Sequence, residues 1–132
     1  MTDPIATLVI PRMGNDWITA NRTGHWSGKA KQVKAWREMT LVMAHQQQFP
    51  KNMPFCRIEP TFEFTILRRR DPGNFVLTTK AIIDALCTGP KPPYGWGSWI
   101  DDDPRYLEEM MPKLVVHPRH VTDRVVLRCY TP

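Results

Sequence analysis

TFEFTILRRRDPGNFVLTTKAIIDALCTG, residues 61–89, changes its period midway. In the first part Phe62, Phe64 and Ile66 alternate with Thr61, Glu63 and Thr65, which predicts a half-buried strand. That strand runs into Arg68, Arg69 and Arg70, then Asp71-Pro72-Gly73-Asn74, a turn by composition. Thr78 or Thr79 is placed to cap a helix over Lys80–Cys87, and Gly89 falls at the C′ position, where a left-handed residue is wanted. Strand, turn and helix in sequence imply a sheet with a helix laid on it.

The flanks extend this unit. Upstream, Ile5–Ile10 reads as a strand stopped by Pro11, and Arg12–Trp26 as a loop. Ser27 is placed to cap a long helix from about Gly28 to Gln48, whose Ala30, Val33, Trp36, Thr40 and Met43 form one helical stripe. Downstream, Pro90–Trp99, with its prolines, glycines and tryptophans, predicts a long ordered loop or lid. Two further strands follow at Lys113–His117 and Arg124–Tyr130. The order β, α, β, α, β, β predicts an α/β (α+β) domain spanning 1–132, a small mixed β-sheet packed with two main α-helices.

Composition narrows the class. The 132 residues suffice for one domain, and 42% hydrophobic residues supply a core. Eighteen Lys and Arg against thirteen Asp and Glu leave a net charge of +5, which favours an anionic partner. No apolar run approaches the ~20 residues of a membrane span, and the start MTDPIATLVIPRM lacks the pattern of a secretory signal, so a cytoplasmic protein is expected. Cys56, Cys87 and Cys129 lie far apart with no CxxC pair, and the four histidines form no HExxH pattern. Packed, reduced thiols are expected, and zinc is not.

Two polar clusters exceed what the strand and helix patterns require. One is the run from Arg68 to Asn74, leading to Lys80 and Asp84; the other is Asp101-Asp102-Asp103. Lys80 and Asp84 stand i, i+4 and share a helix face, where a plain surface ion pair is the ordinary outcome. Adjacent carboxylates repel unless solvent or a cation screens them, and by itself an Asp triplet is a solvated turn. Together with a basic surface, however, the clusters hold the parts for phosphodiester hydrolysis. These are oxygen ligands for a hard divalent ion and a cation to face phosphate.

RRRDPGNFVLTTKAIIDALCTG followed by WIDDD resembles the core signature of the RusA-like Holliday junction resolvases. The matching positions are Arg68, Arg69, Arg70, Asp71, Asn74, Lys80, Asp84, Ala85, Leu86 and Gly89, with Asp101 and Asp102 as the closing Asp pair. The Asp-Pro-x-Asn form resembles a divergent branch of phage or prophage type. Gly73 stands where the pattern often carries a second acid, three extra residues precede Lys80, and the 90–98 loop is long. The resemblance implies a homodimer that resolves four-way DNA junctions by Mg²⁺-dependent paired nicking, with Mn²⁺ able to substitute and no organic cofactor. It implies Asp71, Lys80 and Asp102 as catalytic residues and Asp71, Asp84, Asp101 and Asp102 as metal ligands, with Asp103 a further substitute for the acid missing at Gly73. A bacterial host cell, with a phage or prophage origin for the protein, is implied as the setting.

DNA contact has its own support in the residues. Arg68, Arg69 and Arg70, with Asn74, precede the acidic positions, and Lys29, Lys31, Lys34 and Arg37 form a second basic patch beside Arg22, His25 and Trp26. Such contacts hold phosphate without reading sequence. Tyr94, Trp96 and Trp99 are candidates for base stacking, with core packing the competing role for Trp99. Two rival readings remain. One is a non-catalytic binder of branched or single-stranded DNA that lost a ligand at Gly73; the other is a purely structural protein, which leaves the acid cluster and the Arg run without a purpose. A restriction-type nuclease wants Asp/Glu-x-Lys one strand after an acid, and the spacing from Glu63 to Lys80 fails this.

Overall fold

The computed structural model describes residues 3–18, 26–120 and 122–132, with the backbone alone at 26 and 27. Its elements are β1 (Ala6–Pro11), α1 (Trp26–Gln46), β2 (Cys56–Phe64), a 3-10 turn (Pro72–Phe75), α2 (Val76–Leu86), β3 (Leu107–Glu109), β4 (Lys113–Val116) and β5 (Arg124–Tyr130). The class is α+β, with two helices on a mixed five-stranded sheet. β5 lies antiparallel between β1 and β2, and the far edge of β2 is shared by β3 and β4, both parallel to it. Among the described residues no helix is long and apolar enough to cross a membrane.

Pro60 sits inside the central strand, a position that normally loses a ladder hydrogen bond. The backbone resolves the conflict. Ile58 O accepts from Met110 N (2.9 Å) and Phe64 O from His117 N (2.7 Å), so even-numbered residues of β2 turn their polar groups toward the β3/β4 edge. β3 pairs with Cys56–Ile58 and β4 with Thr61–Phe64, so the missing N–H of Pro60 falls at the gap between them. That gap is where the edge passes through Met110, Met111 and Pro112.

One sheet face is apolar and carries the helices. Leu8, Ile10, Ile58, Phe62, Phe64, Val125 and Leu127 meet Trp36 and Ala44 of α1 and Ile82, Ile83 and Leu86 of α2. Trp17 stacks on Trp36 at 5.2 Å and touches Phe62, Phe64 and Phe75 edge-on. The opposite face is polar, with Glu59 between Arg57 and Lys113, and Glu63 paired with Arg124. Glu63 is buried rather than solvated as the strand pattern predicts, because Arg124, His117 and His120 surround its carboxylate. Cys56, Cys87 and Cys129 are free and buried, as expected; burial lifts the Cys129 thiol to about 12.

Element boundaries move for local reasons. Pro11 is the last residue of β1 rather than a stop before it, and β2 ends at Phe64, leaving Ile66 exposed. α1 begins at Trp26, so Ser27 lies within its first turn, and Gln48 at φ +52° turns the chain away from the helix. Trp36 and Thr40 of its stripe are buried, but Ala30 and Val33 are exposed. α2 starts four residues earlier than the threonines predict. Asp71 caps the preceding 3-10 turn by accepting from Gly73 N, and Pro72 supplies the fixed φ suited to a first turn. Thr78 is inside the helix, where its hydroxyl exchanges hydrogen bonds with the Ile18 backbone; that of Thr79 donates to Phe75 O. α2 ends at Leu86 with Cys87 as its C-cap, so Gly89, at φ +82°, lies one residue past C′. β3 is an addition that the sequence pattern does not predict.

The 90–99 segment is an ordered strap over the end of α2. Trp96 N donates to Ala85 O, and Gly97 N and Ser98 N donate to Leu86 O, satisfying carbonyls that a helix end leaves open. Side chains pin it further: Trp96 to Phe49 O, Ser98 to Pro50 O and Trp99 to Pro54 O. Trp99 is core, Trp96 is half-buried and Tyr94 is exposed. At Gly95 a Cβ would lie 1.9 Å from Cys87 O and 2.5 Å from Ala85 O. Gly95→Ala is therefore expected to lift the strap and lower stability by about 2–3 kcal/mol. Chemical denaturation reads this directly, and an unchanged midpoint would mean the strap is not tightly seated.

Candidate active site

α2 presents Lys80 and Asp84 on one face, one turn apart. The turn after the strap brings Asp102 to them: Lys80 Nζ stands 3.4 Å from Asp102 Oδ2, across 22 residues of chain. Asp102 keeps only 15% of its side chain exposed, while Lys80 reaches into solvent. Asp84 and Asp102 influence each other's charge, each also facing Lys80. Glu109, on the helix side of β3 with Leu107, completes the group.

The charges respond to one another. Burial, then the nearby Asp102 carboxylate, pushes Glu109 up to about 7. Asp84 is raised by loss of hydration and by Asp102, although Lys80 and Arg37 oppose the rise. Lys80 is held above its ordinary value chiefly by Asp84, with Asp102 and Glu109 adding to it. Cys87, beneath the group, is raised to about 12 by burial and by Asp102, Asp84 and Asp101, which leaves its thiol inert.

Two clefts flank the cluster. Asp102 and Glu109 line one of about 450 Å³ with Phe55 and Leu107, and Asp84 and Asp101 line another of about 460 Å³ with Arg37 and Lys91. Asp101 Oδ1 accepts from Asp102 N (2.8 Å), which shapes the acidic turn. Asp103 is occupied by Arg105, whose guanidinium makes a 2.8 Å contact with Oδ2 and lowers the carboxyl.

Asp71 is engaged in its own turn. Its side chain accepts from Gly73 N at 3.0 Å and its carbonyl from Asn74 N, both within the 3-10 turn. From there to Lys80 the chain climbs about 14 Å of helix rise. Asp84 and Asp102 are thus brought together with Lys80, and no described contact joins Asp71 to them. Glu109 is the acid that the sequence pattern misses, because a three-residue strand carries too little alternation to announce its inward face. Among the described residues, no three His, Cys, Asp or Glu side chains open around one common point as a ready cation site. The carboxylates face Lys80 and each other instead. Their donor set is nonetheless all carboxylate oxygen, the chemistry a hard divalent cation takes.

The basic candidates divide. Arg68 and Arg69 are exposed, while Arg70 lies 3.7 Å over the Phe64 ring, its pKa lowered first by burial. On α1, Lys29 joins Lys80 and Asp84 along a groove of about 430 Å³, and Arg37 donates to Pro93 O beside Asp84. Lys31 is exposed, and Lys34 is 4.0 Å from Glu38. Arg22 and His25, and the side chain of Trp26, lie outside the described residues. No protein-family profile matches the chain, and no curated protein matches it.

Proposed function

We propose that this chain is a metal-dependent endodeoxyribonuclease of RusA-like type that nicks four-way DNA junctions, acting as a homodimer in the cytoplasm of a bacterial host. The 3.4 Å approach of Lys80 and Asp102 carries the reading. These residues come from the two separate parts of the resolvase-like signature, and their meeting is what a shared site requires.

In this reading Asp84, Asp102 and Glu109 would supply the carboxylate oxygens for Mg²⁺ once they turn from Lys80 and one another toward a common point, with Asp101 shaping the turn that aims Asp102. When bound, such an ion lowers the pKa of coordinated water and stabilises charge on the phosphate oxygens. Lys80 orients the scissile phosphate and balances charge in the transition state. Water adds to phosphorus as the P–O3′ bond breaks, leaving a 5′-phosphate and a 3′-hydroxyl. Arg68 and Arg69, with Lys29 and Lys31, hold the sugar–phosphate backbone. An isologous dimer repeats the site at a fixed separation and so produces paired cuts.

A synthetic four-way junction incubated with Mg²⁺, with Mn²⁺ and with chelator tests this. Nicks that need the metal are expected. The junction retarded on a gel but left whole would favour the second reading, a binder without hydrolysis, for which Asp71's capping role and the absence of an acid at Gly73 speak. In either case binding should be steeply salt-dependent. With six or so phosphate contacts, affinity falls roughly a thousandfold between about 50 and 200 mM salt. A flat titration would remove the arginines from the DNA path.

A further inference from the structure

Past the end of β2 the chain makes a braced tip. Thr65 donates its N–H and hydroxyl to Asp123 Oδ1 at 2.8 and 3.2 Å, and Arg12 stands 3.4 Å from the other oxygen of the same carboxylate. On the far side Arg70, seated over Phe64, donates to Ile66 O (3.0 Å) and Arg68 O (3.4 Å). Between these anchors Ile66 is 61% and Leu67 84% exposed. A single exposed leucine is ordinary. Two consecutive large apolar side chains held out by hydrogen bonds on both sides are not an accident of a loose loop.

The surroundings say what the tip meets. Arg68 and Arg69 follow it directly, and the turn carrying Arg119 lies alongside, because His117 N is bonded to Phe64 O. Among the described residues these three arginines enter no ion pair, whereas the nearby acids are taken: Asp123 by Thr65 and Arg12, Asp71 by its own turn. An apolar point ringed by unpaired guanidinium groups complements a stack of bases bordered by phosphates.

We infer that Ile66 and Leu67 form a wedge that enters an opened base step at the branch point of the DNA, while Arg68, Arg69 and Arg119 grip the flanking phosphates. This rests on the junction-cleaving reading above and adds the element that distinguishes branched from continuous duplex. Inserting an apolar side chain costs a few kcal/mol of unstacking in a regular helix. At a crossover the bases are already less well stacked, so the same insertion costs less and branched DNA is preferred.

The test uses the full chain, chelator to prevent cutting, and a four-way junction carrying 2-aminopurine beside the crossover. Wild-type protein should raise the probe's fluorescence as the base unstacks. Ile66→Ser/Leu67→Ser should still bind, but with fluorescence near that of free DNA and a junction-over-duplex preference reduced roughly tenfold, equivalent to ~1.4 kcal/mol. Leu67→Phe, which keeps an apolar wedge, should retain the signal. An unchanged signal and preference in the double serine variant would overturn the wedge while junction binding stands. Binding to anionic lipid vesicles that the serine changes abolish, with the DNA signal intact, would overturn it in favour of a membrane contact. If wild-type protein retards neither junction nor duplex, the nuclease reading itself falls.

Discussion

Asp102→Asn is expected to lower metal-dependent junction nicking by about a thousandfold or more while junction affinity stays within about threefold. Asn has the shape of Asp without its charge, so the turn made by Asp101, Asp102 and Asp103 keeps its packing. What disappears is the anion facing Lys80 at 3.4 Å and raising Asp84. The basic surface proposed to carry affinity keeps its charges, since Arg68 and Arg69 are exposed and precede α2, and neither is hydrogen-bonded or ion-paired to Asp102. Single-turnover nicking beside gel retardation separates the two quantities. If both fall together, Asp102 is holding the fold; if neither falls, the cluster is not the reaction centre. Asp71→Asn is the informative comparison. Asn caps a turn as well as Asp does, so stability should hold, and a small effect on rate is expected from a side chain occupied with Gly73 N. A loss as large as that of Asp102→Asn would bring Asp71 back among the ligands.

The fold was legible wherever alternation ran long enough to be averaged. β5 is found at the predicted residues, Arg124–Tyr130, because its Val125, Leu127 and Cys129 enter the core at every second position, with Val126 buried on the other face. Reading failed where tertiary contacts override local preference. Thr78 and Thr79 have the chemistry of caps, yet the start at Asp71-Pro72 places them inside α2, where Ile18 and Phe75 take their hydroxyls. Ala30 and Val33 continue the stripe of α1 but are exposed beside Leu77 and Ala81 of α2, where the two helices border a groove. At the site, the i, i+4 spacing of Lys80 and Asp84 was readable from the helix alone. That Asp102 joins them depends on the strap crossing the end of α2, which requires Gly95 to approach backbone closely. Spacing along a chain says nothing about such a crossing. Glu109 was hidden for the same reason, as its position is fixed by pairing of β3 with Cys56–Ile58, a strand far earlier in the chain than the signature's last acid, Asp102.

Glu109→Gln should raise the melting temperature at pH 8 and leave it nearly unchanged at pH 4. Burial and the Asp102 carboxylate hold Glu109 at about 7 in the folded protein, against an ordinary value of 4.5. The folded state therefore binds this proton more tightly than the unfolded state does. The stability it contributes is fully present below about pH 4.5 and is lost as pH rises through about 7. Asp84 is raised by the same causes and acts with the same sign. Because Glu109 is partly exposed, solvent screening leaves only about 1 kcal/mol, or roughly 4 °C, to be regained by the neutral amide. Thermal melts across this range for both proteins measure it, and parallel curves would detach Glu109 from the cluster. The same group also decides how protons and a divalent ion compete. At pH 8 Mg²⁺ should stabilise the wild type more than Glu109→Gln, since the ion relieves the repulsion that the substitution has already removed. Below pH 7 the wild type's advantage should shrink, and nicking with it, as protons take the carboxylate oxygens the cation needs.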